Sequence, residues 1–120
     1  MSERDVLGAL ADPMRRRILE GIGAHGETTA TMLAGGLPVS RQAVVQHLAV
    51  LERAGLVRGR KEGREVRFTV CPDALTDTAD WLTGLADRWA GRLAAIKRIA
   101  EEDPDPDSGT RGAPRRRGSD

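Results

Sequence analysis

Residues 39–57, VSRQAVVQHLAVLERAGLV, decide the fold that this sequence predicts. Ser40 is a typical helix N-cap, because its hydroxyl can accept a hydrogen bond from a backbone N–H in the first helical turn. Apolar residues then recur at intervals of three, four and seven, as on the buried face of a helix. Gly55 ends the pattern, since glycine readily adopts the left-handed conformation found after helices. The stretch predicts one capped helix whose inward residues are Ala43, Val44, His47, Leu48, Leu51 and Ala54.

The residues after Gly55 change from a helical to an alternating pattern. Val57 opens one predicted strand, and in a second strand Val66, Phe68 and Val70 alternate with polar residues. Glu62-Gly63 lies between the strands as the predicted turn, so this segment is a β-hairpin. Five basic residues are concentrated on it: Arg58, Arg60, Lys61, Arg64 and Arg67.

The residues before Val39 predict three shorter helices. Ser2-Glu3-Arg4-Asp5 is similar to a capping box, and Asp12-Pro13 is an N-cap followed by proline at the first helical position. Gly23 with Gly26 is expected to end the second helix. Thr28 or Thr29 can cap the third helix, in which Met32 and Leu33 are expected to face inward.

A long last helix is predicted from Pro72-Asp73 to about Glu102. Its apolar face carries Leu82, Leu85, Trp89, Leu93, Ile96 and Ala100. Residues 103–120 are mostly Pro, Gly, Ser, Asp and Arg without an apolar period, which predicts a disordered tail. The chain is therefore expected to form one domain over residues 1–102, mainly α with a small β-hairpin.

Composition favours binding over catalysis. The 120 residues carry a net charge of only +1, but residues 41–70 contain seven basic and three acidic residues, whereas residues 71–103 contain four and seven. A basic middle segment suits the approach to a polyanion. No apolar run is long enough for a membrane span, no secretory signal is present, and Cys71 is the only cysteine. We therefore expect a cytoplasmic protein without an intrachain disulfide.

The order of short helix, turn, capped helix and basic hairpin is that of a winged helix-turn-helix. If the apolar face of the capped helix is buried, Arg41, Gln42, Val45, Gln46 and Ala49 face outward. Glutamine can pair with adenine, arginine with guanine, and valine can touch a thymine methyl group. The basic hairpin can contact phosphates or a minor groove. The pattern predicts binding to double-stranded DNA.

Three segments resemble the ArsR-type winged-helix repressors: residues 9–19 (ALADPMRRRIL), residues 39–57 and residues 60–68 (RKEGREVRF). The resemblance covers residues 6–102 and implies a dimeric transcriptional repressor whose recognition helix is residues 40–54. Val45 departs from the family, which commonly has a small hydroxyl residue there. The candidate DNA-binding residues are Ser40, Arg41, Gln42, Val45, Gln46, His47, Arg58, Arg60, Lys61, Arg64 and Arg67.

The resemblance also suggests metal sensing as a function to test, because many members of that family bind metals near the third or the last helix. Here residues 28–35 contain neither Cys nor His, and residues 73–102 contain no His. Only His25, His47 and Cys71 could be soft ligands, whereas zinc normally takes three or four. We expect no metal and no cofactor. His25 is expected in a solvated loop, His47 in helix packing, and Cys71 as a small buried hydrophobe.

The last helix, at about 28 residues, is too long for its own domain to cover. We therefore expect it to pair with the first helix across a two-fold axis, as the family does, so that it is a C-terminal dimerisation helix. The candidate residues of this homodimer interface are Val6, Leu7, Leu10, Trp81, Leu82, Leu85, Trp89, Leu93 and Ile96.

Alternatives remain open at this point. The same dimer could respond to an unidentified small-molecule effector bound under Trp81 or Trp89, or to an oxidant through an intersubunit disulfide of Cys71. The fold could also be a protein-interaction module that presents its basic hairpin to an acidic partner. Arg41, Gln42 and Gln46 favour DNA, because interaction modules tend to place bulky apolar anchors at such positions. The sequence contains no nucleophile motif and no phosphate-binding glycine loop, so an enzyme is the least favoured alternative.

Overall fold

The computed structural model describes residues 3–102, which form a mainly helical fold with a small antiparallel sheet, as predicted. The elements in chain order are α1 (Glu3–Leu10), α2 (Pro13–His25), β1 (Thr28–Thr29), α3 (Ala30–Gly35), α4 (Arg41–Arg53), β2 (Val57–Glu62), β3 (Glu65–Val70) and α5 (Pro72–Glu102). None of these helices is long and apolar enough to cross a membrane. The predicted tail, residues 103–120, lies outside the described residues.

The chain divides into two units, Met1–Thr83 and Gly84–Asp120. The first unit contains every element up to the beginning of α5, together with the hydrophobic core. The second contains the remaining part of α5 as far as Glu102.

The core of the first unit is built from one face of each of α1 to α4. Val44, Leu48 and Leu51 of α4 are fully buried against Ile18 and Ile22 of α2, so the predicted inward stripe of α4 is confirmed. The prediction for Met32 is wrong, because its side chain is 56% exposed. In the six-residue α3, the buried positions are Ala30 and Leu33, which are three residues apart, and Met32 projects away from them.

Three predicted helix N-caps are confirmed, and the predicted end of α2 holds only for Gly26. Ser2, the first residue of the predicted capping box, lies outside the described residues. Asp12, Thr29 and Ser40 each accept a hydrogen bond from a backbone N–H in the first turn of the helix that follows. Helix α2, however, continues through Gly23 and ends at His25. Gly26 supplies the positive φ of 82° that closes it.

The sheet contains a strand that the sequence did not predict. Its order is β1-β3-β2, and Thr28 of β1 pairs with Phe68 of β3. Two residues are too few to show an alternating pattern, so β1 could not be recognised from sequence. The hairpin turn is also one residue later than predicted, since Glu62 pairs with Glu65 and Gly63-Arg64 forms the loop. Gly63 has φ of +63°, as the first loop residue of a tight hairpin requires.

Two arginines of α2 hold the carboxyl end of α1. Arg15 donates from Nε to the Ala9 carbonyl at 2.7 Å and from Nη2 to the Gly8 carbonyl at 3.3 Å. Arg16 donates from Nη1 to the carbonyl of Leu10 at 2.6 Å. These bonds satisfy carbonyls that a helix leaves unpaired at its end, and they join α1 to α2.

We expect the contribution of Asp12 to stability to disappear in acid. Its carboxylate accepts from the N–H groups of Arg15 at 3.2 Å and Met14 at 2.7 Å, and the Arg15 bond is the main cause that lowers its pKa. A carboxyl group whose pKa is lowered by folding stabilises the fold at pH values above its unfolded-state pKa, which is about 3.9 for Asp. This stabilisation is lost as the pH falls through the lower folded-state pKa. Asp12→Asn keeps an acceptor and removes the charge. The melting temperatures of Asp12→Asn and the wild type should differ at pH 7 and should coincide at pH values below the folded-state pKa. A difference in melting temperature that does not depend on pH would contradict this.

Candidate nucleic-acid interface

Helix α4, the predicted recognition helix, exposes one face of its amino-terminal half. The Ser40 hydroxyl accepts a hydrogen bond from the Ala43 N–H at 3.0 Å and so fixes the first turn. The side chains predicted to face outward are all exposed: Arg41, Gln42, Val45, Gln46 and Ala49. His47 is half-buried, as predicted, and is the smallest of the influences that lower the pKa of Asp12.

Arg41 is held at the first position of α4 by the preceding helix. Its Nε donates to the hydroxyl of Thr31 at 3.0 Å, which links α3 to α4 beside the turn between them. Arg41 is exposed, and no ion pair within residues 3–102 involves it. The bond therefore positions a cation at the entrance of the helix without neutralising it.

The register of the hairpin separates its basic residues onto two faces. Lys61 pairs with Val66, and Gly59 pairs with Phe68, so these residues share the face that packs towards the core. The opposite face carries charged and polar residues: Arg58, Arg60, Glu62, Glu65, Arg67 and Thr69.

Two of the five basic residues of the hairpin are paired with carboxylates. Arg60 contacts Glu27 at 2.7 Å and Glu62 at 3.8 Å, and the bond to Glu27 is the main cause that raises the pKa of Arg60. Arg67 contacts Glu62 at 3.0 Å and Glu65 at 3.2 Å. Across residues 3–102, no ion pair involves the other three basic residues of the hairpin, which are Arg58, Lys61 and Arg64.

A groove separates the start of α4 from the hairpin. It has a volume of about 280 Å³ and is lined by Thr29, Ala30, Thr31, Arg41, Val45, Arg64, Glu65, Val66 and Phe68. Its two walls thus bring residues of α4 beside residues of the hairpin tip. The predicted candidates Arg41, Val45 and Arg64 lie together around this groove.

The hairpin is attached to α4 by a hydrogen bond that the sequence did not predict. The Gly59 N–H donates to Oε2 of Glu52, near the end of α4, at 3.2 Å. Gly59 also allows a close approach, since an added Cβ would lie 2.9 Å from Cε1 of Phe68 and 2.9 Å from Cγ1 of Val66. Glu52 and Gly59 therefore help to set the position of the hairpin relative to α4.

We expect Gly59→Ala to destabilise the hairpin. The added methyl group must displace the side chains of Phe68 and Val66, and overpacking of this kind costs about 1–3 kcal/mol. Chemical denaturation of the variant and the wild type measures the difference. Gly36→Ala is the matched control, because its φ is negative and, among the described residues, no atom beyond its chain neighbours lies within 4 Å of a Cβ added there. Equal losses of stability in both variants would contradict the prediction.

The candidate dimer residues of the first unit are only partly available to a partner. Val6 is 2% exposed and belongs to the core of its own chain, so the structure corrects its assignment to an interface. Leu10 is half-buried against the same core. Leu7, Trp81 and Leu82 expose large apolar side chains.

The described part of the second unit, as far as Glu102, exposes most of its apolar side chains. Trp89, Leu93 and Ile96 are 53%, 60% and 61% exposed, whereas Leu85 is half-buried. Ile99, which was not among the predicted interface residues, is exposed as well. The guanidinium group of Arg92 lies 5.7 Å from the centre of the Trp89 ring. This part of α5 therefore presents apolar surface of the kind that marks interaction sites.

The three candidate soft ligands lie on different elements. His25 is the last residue of α2 rather than a loop residue, and its Nδ1 is 2.9 Å from the carbonyl oxygen of Gly21. Cys71 has a half-buried free thiol between β3 and α5, so it is less buried than predicted. Among the residues that the structure describes, no group of three or more His, Cys, Asp or Glu side chains could hold a metal ion.

Comparisons with known proteins bear on the same region. The family described as a helix-turn-helix domain matches residues 10–60. An HTH-type transcriptional regulator of Mycobacterium tuberculosis is 39% identical over 97 residues, which are 81% of this chain and 87% of the relative. A Streptomyces lividans protein named "Probable mercury resistance operon repressor" is 32% identical over 94 residues, 78% of this chain and 74% of the relative. The solved structure of an ArsR-like transcriptional regulator from a Rhodococcus species has a TM-score of 0.75 and 43% identity, and covers 82% of this chain and 92% of its own.

Proposed function

Because this chain belongs to the ArsR-like winged helix-turn-helix transcriptional regulators, we propose that it is a homodimeric repressor that binds a pseudo-palindromic DNA site. The observation that carries the proposal is the placement of Arg41 and Val45 of α4 beside Arg64 of the hairpin tip. A helix whose exposed amino-terminal half lies next to a cationic hairpin can enter a major groove while the hairpin contacts the adjacent backbone.

The recognition helix supplies base readout in this proposal. Gln42 and Gln46 are four residues apart on the exposed face of α4, so they reach the same groove from successive turns. A glutamine amide can bond both N6 and N7 of adenine, and Val45 between them offers an apolar contact to a thymine methyl group. Ser40 and His47 border this surface at either end.

The hairpin supplies affinity for the phosphate backbone. Arg64 lies in the two-residue loop, and Lys61 precedes Glu62 of the closing pair. Neither has a carboxylate partner within residues 3–102, so their charges remain available to phosphates. Arg60 and Arg67 would have to give up their contacts with Glu27, Glu62 or Glu65 to bind a phosphate. Their contribution to the free energy of DNA binding is therefore smaller. Arg58 lies on the opposite face of the hairpin from Lys61.

A second copy of the chain is the proposed partner of the exposed apolar side chains. A pseudo-palindromic site requires two recognition helices related by a two-fold axis, and α1 with α5 carries the apolar surface to join them. Leu7, Trp81 and Leu82 contribute in the first unit. In the second unit the contributors are Leu85, Trp89, Leu93 and Ile96.

Selection of random DNA by the purified protein, followed by sequencing, tests the proposal as a whole. We expect enrichment of an inverted repeat whose half-sites are centred about one helical turn apart. Gln42→Ala should alter the enriched bases, and Arg58→Ala should leave their identity unchanged. No enrichment, or a site without two-fold symmetry, would contradict the proposal.

We also propose that DNA binding does not depend on a metal. The mercury-related name of the Streptomyces lividans relative belongs to that protein, and this chain has one cysteine with which to bind a thiophilic metal. Cys71 and His47 belong to different elements, with Cys71 after β3 and His47 within α4. The proposal rests on this ligand set, which falls short of the three or four ligands of a typical zinc site.

We expect zinc, cadmium and arsenite to leave the DNA affinity within about twofold of its value in the presence of a chelator. One or two protein ligands bind such ions too weakly to favour one state of the protein. Fluorescence anisotropy with a labelled DNA site measures this. Cys71→Ser is the control for metal bound by a lone thiol. A stoichiometric metal that lowers DNA affinity more than tenfold, with loss of the effect in Cys71→Ser, would overturn the proposal.

A further inference from the structure

We propose that the groove between α4 and the hairpin is a binding site for a small aromatic carboxylate, and that this ligand excludes DNA. The competition with DNA rests on the proposed function, whereas the binding site itself does not. The groove is lined by Arg41 and Val45 on one wall and by Arg64 and Val66 on the other.

The interior of the groove favours a flat apolar body. Ala30, Val45, Val66 and Phe68 line it, and the two valines expose 43% and 41% of their surface in a region where polar side chains would be expected. Covering these side chains removes apolar surface from water, which is the main source of affinity for small ligands. At about 280 Å³ the groove is at the small end of ligand sites, so it suits a molecule of one or two fused rings.

The edge of the groove favours a negative charge on that ligand. Arg41 uses Nε to bond Thr31 and keeps its terminal nitrogens available, and Arg64 has no carboxylate partner in the described part of the chain. Glu65 also lines the groove, and its carboxylate accepts a bond from Arg67 at 3.2 Å. Arg67 is shared with Glu62, so the charge of Glu65 is partly compensated from outside the groove. Two guanidinium groups thus remain for one carboxylate, and guanidinium groups bind carboxylates through paired hydrogen bonds.

Occupation of the groove would act directly on the DNA-binding surface. Arg41, Val45 and Arg64 belong both to the groove and to the residues proposed to contact DNA. A bound carboxylate would neutralise the two cations and cover the valine, so the same side chains could not contact a phosphate or a base. The ligand would therefore release the protein from DNA by competition and would need no movement of the dimer.

The first test uses 2-naphthoate and isotope-labelled protein without DNA. We expect saturable binding with a dissociation constant below about 1 mM, as the size of the ligand suggests. Backbone amide signals of Ala30, Val45 and Val66 should shift in the NMR spectrum. Arg64→Ala should weaken binding about three- to tenfold, because it removes one of the two charged hydrogen-bond donors. Arg58→Ala removes the same charge from a hairpin residue that does not line the groove and should leave naphthoate binding unchanged.

The second test adds naphthoate to a complex of the protein with its selected DNA site. We expect the apparent DNA affinity to fall in proportion to naphthoate concentration, with a smaller fall for Arg64→Ala. The absence of saturable binding, equal effects of Arg64→Ala and Arg58→Ala, or a ternary complex with unchanged DNA affinity would each overturn the inference. Because the first test contains no DNA, a failure of the proposed DNA function would appear only in the second. Thermal unfolding of each variant confirms that it is folded.

Discussion

Trp89→Ala is expected to weaken self-association by at least about 3 kcal/mol, which is more than a hundredfold in the dissociation constant. The indole ring is 53% exposed in the single chain, and the proposed interface would bury it against a second copy. In a two-fold interface the substitution occurs twice, so both rings are removed at once. The substitution also removes the ring that faces the guanidinium group of Arg92.

Sedimentation equilibrium at micromolar concentration measures this effect. The wild type should have about twice the chain mass of 12.9 kDa, and Trp89→Ala should dissociate in the same range. Asp87→Ala is the matched control, because Asp87 is exposed on α5 about 160° around the helix from Trp89. A Trp89→Ala dimer as stable as the wild type would remove Trp89 from the interface.

The second large effect is expected when Gln42→Ala and Arg64→Ala are compared on selected and scrambled DNA. Loss of a bidentate base contact should cost about 1–3 kcal/mol at each half-site, so a symmetric dimer loses about twice that on its selected site. Gln42→Ala should have little effect on scrambled DNA. Arg64→Ala should weaken binding to both DNAs and reduce the slope against salt by about one for each phosphate that is no longer neutralised.

Titrations at several salt concentrations separate the two roles. Arg98→Ala removes an equal charge from the exposed surface of α5 and serves as the control for general electrostatic attraction. If Gln42→Ala lowers both affinities equally and Arg64→Ala alone changes base preference, the roles of helix and hairpin have been assigned in reverse.

The elements that local sequence determines were predicted with few errors. Asp12 and Ser40 cap their helices through bonds to N–H groups two or three residues away, and such caps can be recognised in a short stretch of sequence. The outward set on α4 followed from helical geometry once its apolar stripe was identified. Met32 was placed wrongly because a six-residue helix contains too few positions to define which side is buried.

The interactions that depend on tertiary structure could not be predicted. Arg60 pairs with Glu27, which is 33 residues away, and Glu52 bonds Gly59 only because the hairpin returns to the end of α4. The sequence alone therefore could not show which of the five basic residues of the hairpin are paired with carboxylates. The strand register pairs Glu62 with Glu65 and Arg60 with Arg67, which places the two carboxylates beside the two guanidinium groups on one face. The predicted turn was one residue off, so this register was not known from the sequence.

The bonds from Arg15 and Arg16 to the end of α1 have a consequence for the spacing of DNA half-sites. Gly8, Ala9 and Leu10 are fixed to α2, and α2 packs directly on the recognition helix through Ile18 and Ile22. If α1 joins the two copies, the bonds to these three carbonyls fix the distance between the two recognition helices. The dimer would then bind only half-sites separated by a narrow range of base pairs. Relatives lacking the two guanidinium groups would accept a wider range of separations.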